Sequence, residues 1–262
     1  MPEGHSVQRT ANDFNKKFKG KKLRVDSPQG RFQAEAKLID NRVLIRAKAI
    51  GKQLFLEFDN DLTCRVHLGI YGKWRFVDPA KELTGQVRAR FYTNEDLADL
   101  RGPTVCEVID TKSVRLVEKR LGPDPTNPDP KKIQQARFID RVISSKSPIG
   151  ILLMNQDVIS GIGNVYRAEI LFRAGISPHR RGDELSREQI VELWVDSVKL
   201  MKIGVATGFM ITREDKLKAR TKKADRNYVY KREGEACVRC SGVIAIELMA
   251  TRKLYWCPGC QY

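Results

Sequence analysis

No run of 18 apolar residues occurs anywhere in this 262-residue chain, so a membrane-spanning helix is excluded. The opening MPEGHSVQRT carries no apolar leader segment, and a secreted protein built on disulfides is not expected. Histidine is scarce, with three in all. His5 and His67 stand one to a motif without ligand spacing, so both read as structural rather than as metal ligands or bases. Acidic residues are the minority, 32 against 48 Lys+Arg, which leaves a formal charge of +16. Up to residue 125 there are 24 basic and 17 acidic residues, and beyond it 24 and 15. Both halves are therefore basic (+7 and +9), and the charge is no detachable tail. Such a spread favours a polyanionic partner, nucleic acid first. At 41% hydrophobic residues the chain is too apolar for disorder. The expectation is an intracellular, cytoplasmic monomer, nucleoid-associated if bacterial, with no organic cofactor.

Six cysteines are present. Cys64 and Cys106 stand alone in strand-like apolar stretches and read as buried small hydrophobes. Cys237 and Cys240 form C-V-R-C, and Cys257 and Cys260 form C-P-G-C, with sixteen residues between the pairs. Two such pairs complete a tetrahedron of sulfurs around one Zn2+. The stretch between them, with Val243, Ile244, Ile246, Leu248 and then Lys253–Trp256, alternates like a hairpin. Four protein ligands leave no open position, so this zinc ribbon is expected to be structural.

Val7, Ala11, Phe14 and Phe18 recur at helical spacing and predict one amphipathic helix over 4–19. After Gly20 the texture changes to short alternating runs, among them 43–49, 53–58 and 86–93. They predict a sandwich or barrel to about residue 121. Residues 122–132, GPDPTNPDPKK, hold four prolines and read as a stiff linker. From 132 to 203 the period is helical. Ser147-Pro148 opens one helix, Gly175 follows another, and Ser186 with Gln189 makes a capping box for 187–203. No internal repeat is found.

Residues 213–232 hold nine Lys/Arg against three Asp/Glu, a loop suited to following a phosphate backbone. In 155–180, Gly161-Ile162-Gly163-Asn164 runs directly into a helical pattern. Glycines there let a phosphate approach the free N–H groups and the positive end of the helix dipole. Asn164 adds a side-chain donor.

Taken together, MPEGH at the start, GIGNVYRAE in the helical region, YVYKREGEAC before the ribbon and RKLYWCPGCQ at the end resemble the formamidopyrimidine-DNA glycosylase/endonuclease VIII family. The opening PEG and the RLGPDP run at 120–125 resemble its endonuclease VIII branch. Neither the PELPEVE opening nor the DPRRFG-like loop of the oxidised-purine branch is present. The resemblance covers essentially the whole chain. It implies an α+β protein with an N-terminal helix and catalytic β-sandwich domain (1–121), the linker (122–132), a helix–two-turn–helix domain (133–227) and the zinc ribbon (228–262). The implied partner is damaged DNA. The implied activity is base excision coupled to strand cleavage by β,δ-elimination, on oxidised pyrimidines in preference to oxidised purines. A module that binds damaged DNA without turnover is the alternative from another class.

The resemblance also assigns roles. Pro2, exposed by Met1 removal, is the amine that attacks the sugar C1′ and forms an iminium. Glu3 is the proton shuttle beside it. Lys52 is a phosphate contact and proton donor, and Arg252 grips phosphate during δ-elimination. Arg120 and Asn164 match further phosphate contacts. A flipped base leaves a gap to be filled, and HLGIYGKW (67–74) resembles the wedge, with Ile70 and Tyr71 as plug and stacking ring. Gly69 stands where endonuclease VIII proteins often carry Gln, which leaves no side chain to read the orphaned base.

Overall fold

The computed structural model describes residues 2–80, 82–217, 222 and 225–262. Met1 and parts of the basic loop, 218–221, 223 and 224, lie outside the described residues. No helix among the described residues is long and apolar enough to cross a membrane. The chain divides into two compact units, residues 1–120 and 121–262.

The first unit opens with α1 (Gly4–Phe18), and its predicted stripe of Val7, Ala11, Phe14 and Phe18 is buried. Phe14 meets Trp74 edge-on at 4.8 Å between ring centres, with Phe18, Phe76 and Phe91 around it. Each such ring contributes about 1.5–3 kcal/mol by leaving water. Eight strands follow: β1 (Lys22–Asp26), β2 (Arg42–Ile50), β3 (Gln53–Phe58), β4 (Leu62–His67), β5 (Lys73–Val77), β6 (Ala89–Tyr92), β7 (Leu97–Arg101) and β8 (Val105–Asp110). Their order is β5-β7-β6-β1-β2-β3-β4-β8, antiparallel at every step described. β1 passes from one four-stranded half to the other, so the two halves form the expected sandwich. Asn15 of α1 ties helix to sheet: its amide donates to Ala47 O (2.8 Å) and accepts from Ala47 N (2.7 Å). That bond lies next to the irregular pairing of β2 at Leu44 and Arg46.

Two short helices interrupt the strand-rich reading of this half. α2 (Gln33–Ile39) buries Ala36 and Ile39, and α3 (Thr111–Arg120) buries Val114. Asp110 Oδ1 accepts the N–H of Ser113 at 2.7 Å and so starts α3. The region predicted as strands up to residue 121 thus ends at Asp110, followed by a helix.

The second unit contains α4 (Ile133–Ile143), α5 (Ile149–Leu152), α6 (Asn164–Ala174) and α7 (Arg187–Thr207), then a hairpin of β9 (Ala245–Met249) and β10 (Arg252–Trp256). The predicted capping box is present at α7: Ser186 Oγ accepts from Gln189 N (3.2 Å), and Gln189 Oε1 accepts from Ser186 N (3.0 Å). Gly175 ends α6 in the left-handed conformation (φ 69°). Every residue of α6 from Asn164 to Phe172 is buried. One side of α6 faces the helical core, and Ala168 and Phe172 share a second core with Val229, Ile244 and Tyr255 of the ribbon.

The proline-rich stretch is more firmly held than a tether. Residues 122–125 are buried; Gly122 N donates to Gln156 O and Ser160 N to Pro123 O, both at 2.8 Å. A side chain at Gly122 would meet Asp157 O at 2.6 Å. The prolines rule out a helix, and they also present a rigid edge that packs within the second unit.

Candidate active site and nucleic-acid interface

In the first unit, Pro2 precedes α1 and is half-buried, and Glu3 is fully buried as the N-cap residue. No other acid lies in the first helical turn. The free N–H groups and positive dipole end of α1 favour a carboxylate there. Glu3 O accepts from both the N–H (2.9 Å) and the hydroxyl (2.8 Å) of Ser6, which fixes the turn carrying Pro2 and Glu3. His5 is buried beside them. Burial, with a smaller effect from the positive chain terminus, pulls it down to about 4, so its ring is neutral near pH 7.

Lys52 lies in the β2–β3 turn after Gly51 (φ 57°). Its neighbour Gln53 pairs with His67 at the end of β4, which brings Lys52 to the base of the 67–74 stretch. There Gly72 N donates to Leu68 O at 2.9 Å, closing a tight loop that leaves Tyr71 86% and Ile70 45% exposed. Gly69 has φ 65°, and a Cβ on it would lie 1.9 Å from Thr104 Oγ1. A side chain at this position would be strained by the left-handed backbone and would require the Thr104 side chain to move. Arg120 is exposed in the last turn of α3.

In the second unit, the side chain of Asn164 is already engaged. Its Nδ2 donates to Lys253 O at 2.8 Å, and its Oδ1 accepts from the guanidinium of Arg167. Arg167, 1% exposed, donates to the same Lys253 carbonyl at 3.1 Å. The start of α6 is thereby bonded to the strand residue next to Arg252. Arg252 itself follows a two-residue turn in which Ala250 (φ 47°) and Thr251 (φ 65°) are both left-handed. That geometry is normally filled by Asn-Gly, and a β-branched residue holds it only under strain.

The ends of the basic loop are held by a residue that the sequence pattern does not single out. Glu169 of α6 is fully buried and accepts four hydrogen bonds: from the Thr212 hydroxyl, Tyr228 N (2.7 Å), Val229 N (2.9 Å) and Tyr230 N (2.8 Å). Thr212 N donates to Arg226 O at 2.9 Å, closing the base of the loop. Arg173, one turn further along α6, binds Asp196 and Glu214. Glu169 and Arg173 lie in or next to the quoted GIGNVYRAE, but their partners are 23 to 61 residues away.

The four cysteines converge. Their Sγ atoms all lie within 4.8 Å of one another, with Cys237–Cys260 at 3.8 Å and Cys240–Cys257 at 3.4 Å. A tetrahedral ion bound at about 2.3 Å per sulfur sets S–S separations of about 3.8 Å, so the cluster fits a metal ion and a zinc-finger arrangement. Gly242 and Gly259 allow the two knuckles to close, since a Cβ on either would lie 3.3 or 3.0 Å from Cys240 Sγ. Gln261 ties the site to the helical part by accepting from Cys257 N (2.8 Å) and donating to Ile176 O (3.0 Å). Cys64 is buried, as expected of a small hydrophobe, and Cys106 is partly buried.

Comparison with known proteins decides the family. Residues 1–115 match the formamidopyrimidine-DNA glycosylase N-terminal domain, and residues 121–215 match the formamidopyrimidine-DNA glycosylase H2TH domain. A Mycobacterium tuberculosis protein named Endonuclease 8 1 is 43% identical over 270 aligned residues that span the whole of both chains. The chain belongs to the formamidopyrimidine-DNA glycosylase/endonuclease VIII family. An Escherichia coli Endonuclease 8 is 29% identical, again over the full length of both. Among solved structures, the Lactococcus lactis Fpg in complex with DNA containing an abasic site has a similar fold. Its TM-score is 0.83 at 23% identity, with 99% of each chain covered. Membership makes this a DNA-binding repair glycosylase and lyase, in which the cysteine cluster fits the family's zinc finger.

Proposed function

We propose that the chain is a bifunctional DNA glycosylase/AP lyase that removes oxidised pyrimidines from DNA and cleaves the strand by β,δ-elimination. The observation that carries this reading is the pairing at the start of α1: Pro2 adjoins a carboxylate, Glu3, that is wholly shielded from water. With Met1 removed, the secondary amine of Pro2 attacks C1′ of the damaged nucleotide. The C1′–N bond breaks and the base leaves with a proton from water. Protonated Glu3 gives its proton to O4′ as the C1′–O4′ bond opens and recovers one from the Pro2 N–H, so a ring-opened iminium links Pro2 to the sugar. Loss of a C2′ proton then expels the 3′ phosphate, and a second elimination expels the 5′ phosphate. Hydrolysis of the iminium frees Pro2.

Lys52, Arg120, Asn164 and Arg252 hold the phosphates in this reading. Ile70 and Tyr71 fill the space of the extruded nucleotide. Cys237, Cys240, Cys257 and Cys260 hold one Zn2+, whose contribution is to keep the ribbon hairpin and Arg252 in place. The protein works as a monomer in the cytoplasm.

Borohydride reduction on a duplex containing an oxidised pyrimidine tests the central step, because only an imine becomes a permanent adduct. The wild type should be trapped, and Pro2→Ala should bind but not be trapped. Trapping of Pro2→Ala at the normal rate would leave either the new α-amine at position 2 or a lysine, Lys52 first, as the nucleophile, and peptide mapping of the reduced adduct tells the two apart. A protein that binds but is never trapped would be a non-catalytic module.

A further inference from the structure

The wedge stretch is fastened by a side chain that the reaction scheme leaves without a role. His67 ends β4 opposite Gln53, and its carbonyl accepts the N–H of Thr104 at 2.9 Å. Its ring turns back along its own chain, and Nδ1 accepts the N–H of Gly69 at 3.2 Å. A backbone N–H directed at Nδ1 requires a lone pair on that atom, so the ring is neutral with its proton on Nε2. The bond spans two residues, the reach by which Asn and Asp side chains stand in for a backbone turn. Together with the Gly72 N–H on Leu68 O, it fixes the wedge loop at both its entry and its exit.

The surroundings favour that neutral state. His67 is half-buried, and burial lowers its affinity for a proton, with Lys52 and Arg65 adding repulsion. Lys52 comes from the β2–β3 turn. Arg65 lies on β4 itself and is held by Glu107 of β8 (2.8 Å) and Gln53 of β3 (3.1 Å). A second proton on the ring would bring a third positive charge to this spot and abolish the acceptor of the Gly69 N–H.

We propose that His67 is the positioning residue of the wedge: its neutral imidazole holds Gly69, and protonation of the ring releases Ile70 and Tyr71 from their inserting pose. This rests on the reading of 67–74 as the stretch that fills the gap in the duplex. Asn at this position can place an acceptor oxygen where Nδ1 lies but cannot be protonated there, whereas Phe keeps a ring and has no acceptor. The two substitutions therefore separate bonding from bulk.

The experiment uses the full-length protein and a duplex with 2-aminopurine opposite an uncleavable tetrahydrofuran site, with fluorescence reporting insertion and anisotropy reporting binding. At saturating protein, His67→Phe should slow the fluorescence rise by about tenfold, the effect of one lost hydrogen bond, and His67→Asn should recover it. In a pH titration downward from about 7.5, the wild-type rise should be suppressed on the acid side and that of His67→Asn should not follow it. An Asn variant as slow as Phe, or one that keeps the wild-type pH dependence, overturns the proposal. The Asn arm alone decides the matter if His67→Phe does not fold. Tyr71→Ala serves as the control on the underlying reading: if it leaves the rise intact, the wedge assignment is wrong. If Tyr71→Ala abolishes the rise while His67→Phe does not, only the role of His67 is wrong.

Discussion

Asn164 and Lys253, 89 residues apart in the chain, are joined by a 2.8 Å hydrogen bond from the Asn164 amide to the Lys253 carbonyl. Arg167 donates to the same carbonyl and fixes which end of the Asn164 amide faces it. The helix start and the hairpin carrying Arg252 are thus joined at two points, and the Arg167 bond still holds the hairpin when the Asn164 amide is lost.

The consequence is testable through salt. Asn164 is neutral, so a phosphate contact made by its side chain would release no counterion. Asn164→Ala should weaken binding to an uncleavable abasic duplex by about tenfold, a hydrogen bond's worth, with no change in the slope of log affinity against log salt. Arg252→Ala should weaken binding and also reduce that slope by about 0.9. Unchanged affinity for Asn164→Ala would remove Asn164 from the interface.

Metal removal is expected to act on the second unit first. The cysteine cluster shares a core with Ala168 and Phe172 of α6, so an empty cluster loosens the side of α6 that carries Glu169. One zinc per chain should be found by metal analysis. Cys257→Ser or exhaustive chelation should lower the melting temperature and weaken DNA binding. A metal-free preparation with full activity and unchanged melting contradicts the assignment.

At Gly69, restoring the glutamine common among endonuclease VIII proteins should harm this chain. A glutamine here would be held at φ 65° with its Cβ 1.9 Å from Thr104 Oγ1. Left-handed strain alone costs about 1–3 kcal/mol. Gly69→Gln should therefore lower stability in urea titrations, and Thr104→Ala should recover part of the loss when combined with it. Purely additive losses in the double-mutant cycle would show that Thr104 is not the obstacle.

What was legible in the sequence was local. The stripe Val7–Phe18, the Ser186/Gln189 box and the two C-x-x-C knuckles are encoded within a few residues, and each is present. α2 and α3 were hidden because they bury only two residues and one, too few to impose a period of 3.6 on the pattern. Glu169 and Arg167 are indistinguishable in the sequence from the other letters of their motif, since a buried charge is recognisable only once its distant partners are in place. The proline spacing at 123–130 showed that no helix runs there. It could not show that residues 122–125 dock on the 155–160 stretch, because that depends on carbonyls the sequence does not display.

The pH dependence of stability should report on His5. Its pKa in the fold is about 4, against an ordinary value of 6.5, so the folded state resists protonation that the unfolded chain accepts. The contribution is complete above pH 6.5 and is lost as the pH falls through the window from 6.5 to 4, where the unfolded chain holds the extra proton. One proton corresponds to about 1.4 kcal/mol per pH unit. His67, also lowered, acts in the same direction. Between pH 6.5 and 5, above the titration of ordinary carboxylates, the wild type should therefore lose on the order of 2 kcal/mol or more of unfolding free energy. His5→Gln removes the titrating group, so its stability should decline less steeply over that interval, by close to one proton's worth of slope. Urea unfolding of both proteins at half-unit pH steps measures the difference directly. Parallel curves would mean that His5 takes up its proton in the folded protein as readily as in the unfolded chain, and the buried, neutral ring beside Pro2 and Glu3 would have to be abandoned.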